Sequence, residues 1–295
     1  MSNPLIETRV LPRDDALLGR NLGHDARSLA YPARRAFSIE EPQQVDHDLY
    51  LPILRQRVGS CVLHTMAELI SFVRHWETLD DVQHLAWASN PEEMCLDWYR
   101  WTTRNDEFDD EWEPNDTGTS GTSGAKCTVH HGYSKGFVHA FSPAEAFGLL
   151  NHTPVGFGGW WYSSMDSPSS EGIIRVTPGA YRRGGHEFTW RGQDPARGLI
   201  RCRNHWGTGY GIGGEMWLPY EDAERLLGED GDIVALIPND QPAPEPEWDL
   251  MLIKDLEPWA FQSTWQRVTN PGKAGRAAAA SREWINRKRQ ETKPQ

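Results

Sequence analysis

The chain is predicted to be an α+β protein, a helical part followed by a strand-rich part. Two observations carry that expectation. From Cys61 to about Trp76, apolar residues fall at Val62, Met66, Leu69, Ile70 and Val73, the spacing of one buried helix face. From Pro154 onward, short apolar runs alternate with Gly, Pro and Ser, and six of them read as strands: 155–162, 173–176, 186–191, 199–203, 215–218 and 233–237. Strands that follow helices, instead of alternating with them, argue against a parallel α/β sheet.

Taken in order, residues 1–48 form an extended N-terminal arm, because Pro4, Pro12, Pro32 and Pro42 break any long helix. Six arginines (Arg9, Arg13, Arg20, Arg27, Arg34 and Arg35) make this arm locally basic. An inhibitory leader, a strap packed on the domain and a partner-binding arm all fit it. Ser60 is placed to cap the helix that opens at Cys61. A second helix is expected over 91–103. Seven carboxylates between Asp106 and Asp116 lack the glycine and spacing of an EF-hand loop, so a solvated acidic loop is expected. The stretch DTGTSG then leads into a short helix, with Ser120 as cap and Gly132 as stop. At the other end, QPAPEPE (241–247) is a linker by composition. From Arg267 onward, eight basic residues face only Glu283 and Glu291, a basic tail with an alanine-rich helix candidate. Solvation explains that tail adequately, although it could dock on an acidic partner.

Composition narrows the function classes. The 295 residues carry 30 Lys+Arg against 42 Asp+Glu, a formal charge of −12. That balance argues against a general nucleic-acid binder, which needs a basic face to neutralise phosphates. No apolar stretch approaches the ~18 residues of a membrane span, and the N-terminus lacks the apolar core of a secretory signal. Apolar content is ordinary for a globular chain and rules out wholesale disorder. The four cysteines (Cys61, Cys95, Cys127 and Cys202) show no CxxC pairing, so a zinc ribbon or disulfide scaffold is not expected and they read as reduced thiols. Most of the 14 tryptophans are assigned to packing.

Chemistry concentrates on Cys61. It stands at the first turn of a predicted helix, where unpaired N–H groups and the macrodipole favour a thiolate. A cysteine there serves packing or catalysis, and catalysis needs a base. His186 opens one predicted strand and Asn204 closes the next, with 192–195 as turn residues between them. The midpoint, residue 195, lies in that turn, so an antiparallel hairpin would set His186 and Asn204 opposite each other on one face. Cysteine, histidine and asparagine are the nucleophile, base and orienter of a thiol acyl-transfer site. Competing signals are weaker. Gly209 to Gly214 match GxGxxG, but a strand-like segment follows instead of a helix. His64 reads as a core or cleft-wall residue, His130 and His131 as surface residues, and Cys95, Cys127 and Cys202 as buried thiols. No metal-ligand spacing is present.

The segments Val58–Cys61, Gly185–Phe188 and Arg203–Gly211 together resemble the papain-like cysteine peptidases. The order Cys, His, Asn and the intervals of 125 and 18 residues suit that family, and Asn-x-Trp-Gly-Thr-Gly-aromatic-Gly is its most specific element. The likeness covers roughly residues 45–238 and is strongest to proteins of actinobacterial phages, through Asp116–Gly121 and Gly158–Tyr162. The resemblance implies a two-lobed fold over 49–240, a helical lobe at about 49–150 and a barrel-like antiparallel strand lobe at about 151–240, with the cleft between. It also implies Trp206 as a shield over the His–Asn bond and Gly118, Thr119 and Ser120 as the loop that pairs with substrate backbone. Two positions depart from the family. Its oxyanion-hole glutamine lies six residues before the nucleophile, where this chain has Arg55, with Gln56 one place later. Gln56, Arg55 or the Cys61 backbone N–H alone are the open choices. His205 replaces the usual Ser and is expected to point away from His186.

The expected activity is therefore hydrolysis of peptide or protein substrates by Cys61, His186 and Asn204, without cofactor or metal. Two alternatives stand beside it: a papain-fold structural or adaptor protein that contacts phage structural proteins, and a peptidoglycan cross-link hydrolase. No nucleic-acid or membrane partner is expected, and the expected location is the infected host's cytoplasm or the virion.

Overall fold

The computed structural model describes residues 17–22, 31–74, 90–106, 108 and 110–241. The end of the first predicted helix at Trp76, Glu107, Asp109, nearly all of the 241–247 linker and the basic tail lie outside the described residues.

Helix α1 spans Cys61–Arg74. The Ser60 carbonyl accepts its first amide bonds, from Leu63 and His64. Helix α2, Pro91–Asn105, is capped by Asn90, which accepts from the Glu93 N–H; Pro91 opens it at no cost because its missing donor is one the first turn leaves unused. Helix α3 runs Gly121–His130, with the Ser120 hydroxyl accepting from Ser123 N, and Gly132 follows it at φ +73°. Two short helices, α4 (Pro143–Leu149) and α5 (Tyr220–Gly228), hold too few turns for apolar periodicity to announce them.

Seven antiparallel strands form the sheet: β1 Val45–Asp46, β2 Gly136–Ala140, β3 Val155–Tyr162, β4 Arg182–Asp194, β5 Leu199–Arg203, β6 Glu215–Pro219 and β7 Asp232–Ile237. Their order is β2-β7-β3-β4-β5-β6, with β1 paired on β4. The architecture is α+β, as the sequence implies. One predicted strand is absent: 173–176 makes only an isolated bridge from Ile173 to Trp217. Around that bridge the Ile174 N–H donates to the Trp217 carbonyl, but the Ile173 carbonyl accepts from Ser169 and the Val176 N–H donates to the Asp222 side chain, so the pairing goes no further.

Two apolar cores lie on either side of the sheet, and β7 divides them by alternation. Val234 and Leu236 pack with α1, α2 and α3, whereas Ile233, Ala235 and Ile237 pack with the opposite cluster. Residues of β2 and α4 (Val138, Ala140, Ala146, Phe147 and Leu149) join that opposite cluster, as do Leu18 and Ala33. At its centre Phe157 stacks on Trp190, centroids 4.9 Å apart and 9° from parallel, both rings fully buried. Phe157→Ala is expected to cost about 3–5 kcal/mol, because the surrounding rings cannot collapse into the space; urea denaturation measures it.

Candidate active site

The turn before α1 is tied to the neighbouring loop by Asp116. The Gly59 N–H lies 3.0 Å from both Asp116 oxygens, and the Tyr99 hydroxyl donates to the same carboxylate at 2.8 Å. That hydroxyl in turn accepts the Gly118 N–H at 2.7 Å. The start of α1 and the 116–120 loop therefore move as one unit. Cys61 opens the helix there and is buried.

On the strand side, His186 lies in β4 and Asn204 follows β5. His186 Nε2 is 2.8 Å from Asn204 Oδ1, an oxygen that also accepts the His205 N–H at 2.8 Å. Asn204 N donates to the Gly214 carbonyl, which holds the residue from behind. The expected symmetry about residue 195 is corrected by the observed register. Pairing runs Asp194↔Leu199 to Gln193↔Ile200, shifts at Arg191 and continues Trp190↔Cys202 and Thr189↔Arg203. Extended by one residue, it sets Asn204 opposite Phe188, so His186 reaches it diagonally on the same face. The turn falls later than expected, at residues 195–198, and β4 carries a bulge, two changes that together preserve the face. Trp206 lies over the imidazole with centroids 5.0 Å apart, and Trp161 meets it edge-on at 5.1 Å.

Gln56 and Arg55 part company. Gln56 is buried, its Nε2 donating to the carbonyls of Leu17 (3.0 Å) and Val58 (2.9 Å). Arg55 is exposed, with its backbone N–H on Glu92 and its stem near Gly207. Of the loop residues, Ser120 caps α3 and Gly118 is engaged by Tyr99, which leaves Thr119 as the backbone that pairs across the site.

What Thr119 pairs with is residues 17–22 of this same chain. Thr119 N donates to Gly19 O at 2.9 Å and Asn21 N to Thr119 O at 2.8 Å, a parallel bridge. On the other side, Arg20 N donates to the Gly185 carbonyl at 3.0 Å, one residue before His186. A Cβ at Gly19 would stand 2.0 Å from the Gly59 carbonyl oxygen, and one at Gly185 2.0 Å from that of Arg20. Both positions require glycine for this close approach. The segment thus lies between the Cys61 turn and the His186 strand.

Polar side chains line the junction of α1 with β4 and β5. Glu68 accepts from the Thr189 hydroxyl at 2.5 Å, and its carboxylate lies 3.6 Å from His205 Nε2. His205 Nε2 is also 3.3 Å from the Thr65 hydroxyl, and its ring lies 5.6 Å from that of His64. His64 hydrogen-bonds the Ser60 carbonyl at 2.9 Å. Burial pushes the Glu68 carboxyl up to about 7 and both imidazoles down to about 3. His205 turns toward α1, with its centroid still 6.1 Å from that of His186.

The acidic loop is only partly solvent-facing. Asp116 serves as above and Asp106 accepts from the Thr119 hydroxyl at 2.8 Å, while Asp110, Glu111 and Glu113 are exposed. Sequence reasoning missed both structural carboxylates, which differ from their neighbours only in adjoining the helix end and the DTGTSG stretch. His130 and His131 are exposed beside Trp101. Among the described residues no His, Cys, Asp and Glu group is arranged to hold a metal, and no helix is long and apolar enough to cross a membrane.

No protein-family model matches the sequence, and no curated protein matches it. Solved structures do. Xylellain, a cysteine protease from Xylella fastidiosa, superposes with a TM-score of 0.60 at 19% identity, over 77% of this chain and 97% of its own. Procathepsin B S9 from Trypanosoma congolense gives 0.46 at 12% identity, over 76% and 87%. Bromelain from Ananas comosus gives 0.41 at 12%, over 67% and 100%. The fold is papain-like.

Two outcomes follow from the buried groups. Burial pushes the Cys95, Cys127 and Cys202 thiols up, so iodoacetamide at neutral pH should leave all three unmodified until the chain is unfolded, as peptide mass mapping would show. Glu68 keeps its proton in the folded state between its unfolded value near 4.5 and about 7, so ionising it costs stability as pH rises through that window. Glu68→Gln should therefore gain on the unmodified chain by about 3 kcal/mol between those limits and run parallel above them, in urea denaturation at stepped pH.

Proposed function

We propose that this protein is a cysteine peptidase with Cys61 as nucleophile, His186 as general base and acid, and Asn204 as orienter. The observation that carries the reading is the 2.8 Å hydrogen bond from His186 Nε2 to Asn204 Oδ1. It fixes the tautomer and the ring plane, and so directs Nδ1 to proton exchange with the thiol and substrate. The Cys61 thiolate adds to the carbonyl carbon of a peptide bond, and the imidazolium gives its proton to the departing amine as the C–N bond breaks. Water, losing a proton to the same nitrogen, then releases the acyl group as a carboxylic acid and restores the thiol.

Gln56 is the side chain we assign to the oxyanion, together with the Cys61 backbone N–H. It is buried with its amide turned inward, whereas Arg55 faces solvent. Trp206 serves as the shield that keeps water from the His–Asn bond, supported by its ring lying over His186. Residues 17–22 act as an inhibitory leader. The Leu17 carbonyl takes the Gln56 amide and, at 3.4 Å, the Trp206 indole N–H, and the leader's backbone takes Thr119. Its parallel pairing with Thr119 holds the leader in place by main-chain bonds at the site itself.

A second reading, a papain-like scaffold without catalysis that serves as a structural or adaptor protein, is favoured by the burial of Cys61 in the intact chain. Gly19→Val separates the two. A side chain there meets the Gly59 backbone and displaces the leader, so a peptidyl epoxide should label Cys61 faster and hydrolysis of a peptide mixture should rise. Equal residual activity in Gly19→Val and Gly19→Val/Cys61→Ala would sink the peptidase reading. In the same background, Gln56→Ala should lower kcat about 10²–10³-fold with little change in KM.

A further inference from the structure

We infer that Glu187 and Asp232 form a subsite that selects an arginine side chain of the substrate, filled in the intact chain by Arg20; this deepens the peptidase reading and rests on it. Three neighbouring strands set the subsite out in one row. Gly158 of β3 is registered with Glu187 of β4 on one side and with Asp232 of β7 on the other. Side chains at registered positions point to the same face of a sheet, so two carboxylates flank a position without a side chain. The Arg20 guanidinium fills that gap. Its Nε lies 2.9 Å from Glu187 Oε2 and one amino nitrogen 2.5 Å from Asp232 Oδ1.

The cradle is shaped for that group. A Cβ at Gly158 would stand 2.2 Å from Arg20 Nε, one at Gly121 3.0 Å from Glu187 Oε2 and one at Gly156 3.3 Å from Glu187 Oε1. Three glycines thus leave the width that a planar guanidinium and its two carboxylates occupy. Arg20 and both acids are nearly inaccessible to water. Among the described residues neither Glu187 oxygen has a hydrogen-bond partner, and Arg20 is the cation beside it. Burial and the neighbouring Asp232 push the Glu187 carboxyl up while Arg20 opposes them, so a cation set between the two acids is what lets both ionise, and the pocket that the leader vacates favours a basic occupant. Arginine suits it better than lysine because its fork spans two acceptors at once.

The pocket also lies where a substrate side chain would fall. Arg20 is the residue whose backbone bridges Thr119 and whose N–H meets the carbonyl next to His186. A peptide that replaced the leader and kept the Thr119 pairing would direct one side chain into the same row.

The test uses the full chain with Arg20→Ala, its fold checked by circular dichroism. Peptidyl epoxides that differ only in Arg, Leu or Glu at each position beside the reactive group are compared by their rate of Cys61 labelling. The Arg probe should lead the Leu probe by about tenfold or more at one position, and adding Asp232→Asn should erase that lead, read as the ratio of the two labelling rates in each background. A Leu rate equal to the Arg rate overturns the subsite and leaves the peptidase reading standing. Binding is read separately in Arg20→Ala/Cys61→Ala, by calorimetric titration with N-acetyl-argininamide and N-acetyl-leucinamide. Binding of the arginine compound alone, with no probe labelling Cys61, supports the subsite and overturns the peptidase reading. Neither binding nor labelling overturns both. Should Arg20→Ala fail to fold, Gly19→Val replaces it as the background for both measurements.

Discussion

Helix α1 lies against β4 across a buried polar junction in which some groups find partners, while among the described residues Glu68 Oε1, His64 Nε2 and His205 Nδ1 have no hydrogen-bond partner. An unpaired buried carboxylate or imidazole would cost several kcal/mol. Glu68 meets the Thr189 hydroxyl, His205 meets Thr65 and lies beside Glu68, and His64 meets its own helix's first carbonyl. Apolar packing sets the distance between the two layers, and these bonds set how the helix is placed along the strand. Cys61 rides on the first turn of that helix and His186 on that strand, so the relation between thiol and imidazole inherits whatever the junction fixes. On the proposed reading, the geometry between thiol and imidazole would follow from this partly satisfied polar junction.

A second constraint acts at the loop level. Asp116 gathers the turn that precedes Cys61 and, through Tyr99, the strand of backbone that ends in Thr119. One carboxylate thereby couples the proposed nucleophile to the edge on which a peptide would pair. The N-terminal segment exploits that edge. Its two close approaches, Gly19 on Gly59 and Arg20 on Gly185, are glycine contacts that no larger residue could make, and the buried Arg20 anchors them. On the proposed readings, inhibitory placement and subsite selectivity would be two consequences of one docked side chain. The charge that holds the leader would be the charge that chooses the substrate.

Much of this architecture was legible from residue order. The spacing of Val62, Met66, Leu69, Ile70 and Val73 announces α1, and the apolar runs at 155–162 and 199–203 coincide with β3 and β5 to the residue. The Ser120 cap stands where side-chain chemistry placed it, whereas the Ser60 hydroxyl turns to the Val58 carbonyl. Less legible were α4 and α5, too short for a period to register, and β2, whose partner β7 lies about a hundred residues downstream. The false strand at 173–176 shows the limit from the other side: an apolar run becomes a strand only if neighbouring backbone is free to pair with it.

What the sequence determined by itself is local: which segments coil or extend, where a thiol begins a helix, and that a histidine and an asparagine flank one turn. It could not say that their contact is diagonal, because a bulge at Arg191 and a later turn shift the register by amounts that local preferences do not encode. Nor could it say that Gln56 is buried and Arg55 exposed, since adjacent residues differ in direction only once the chain has a surface and an interior. Tertiary structure alone decided that Arg20 enters a row of Glu187, Gly158 and Asp232. Those residues come from the arm and three strands, and only the pairing order of the sheet brings their charges within reach of one another.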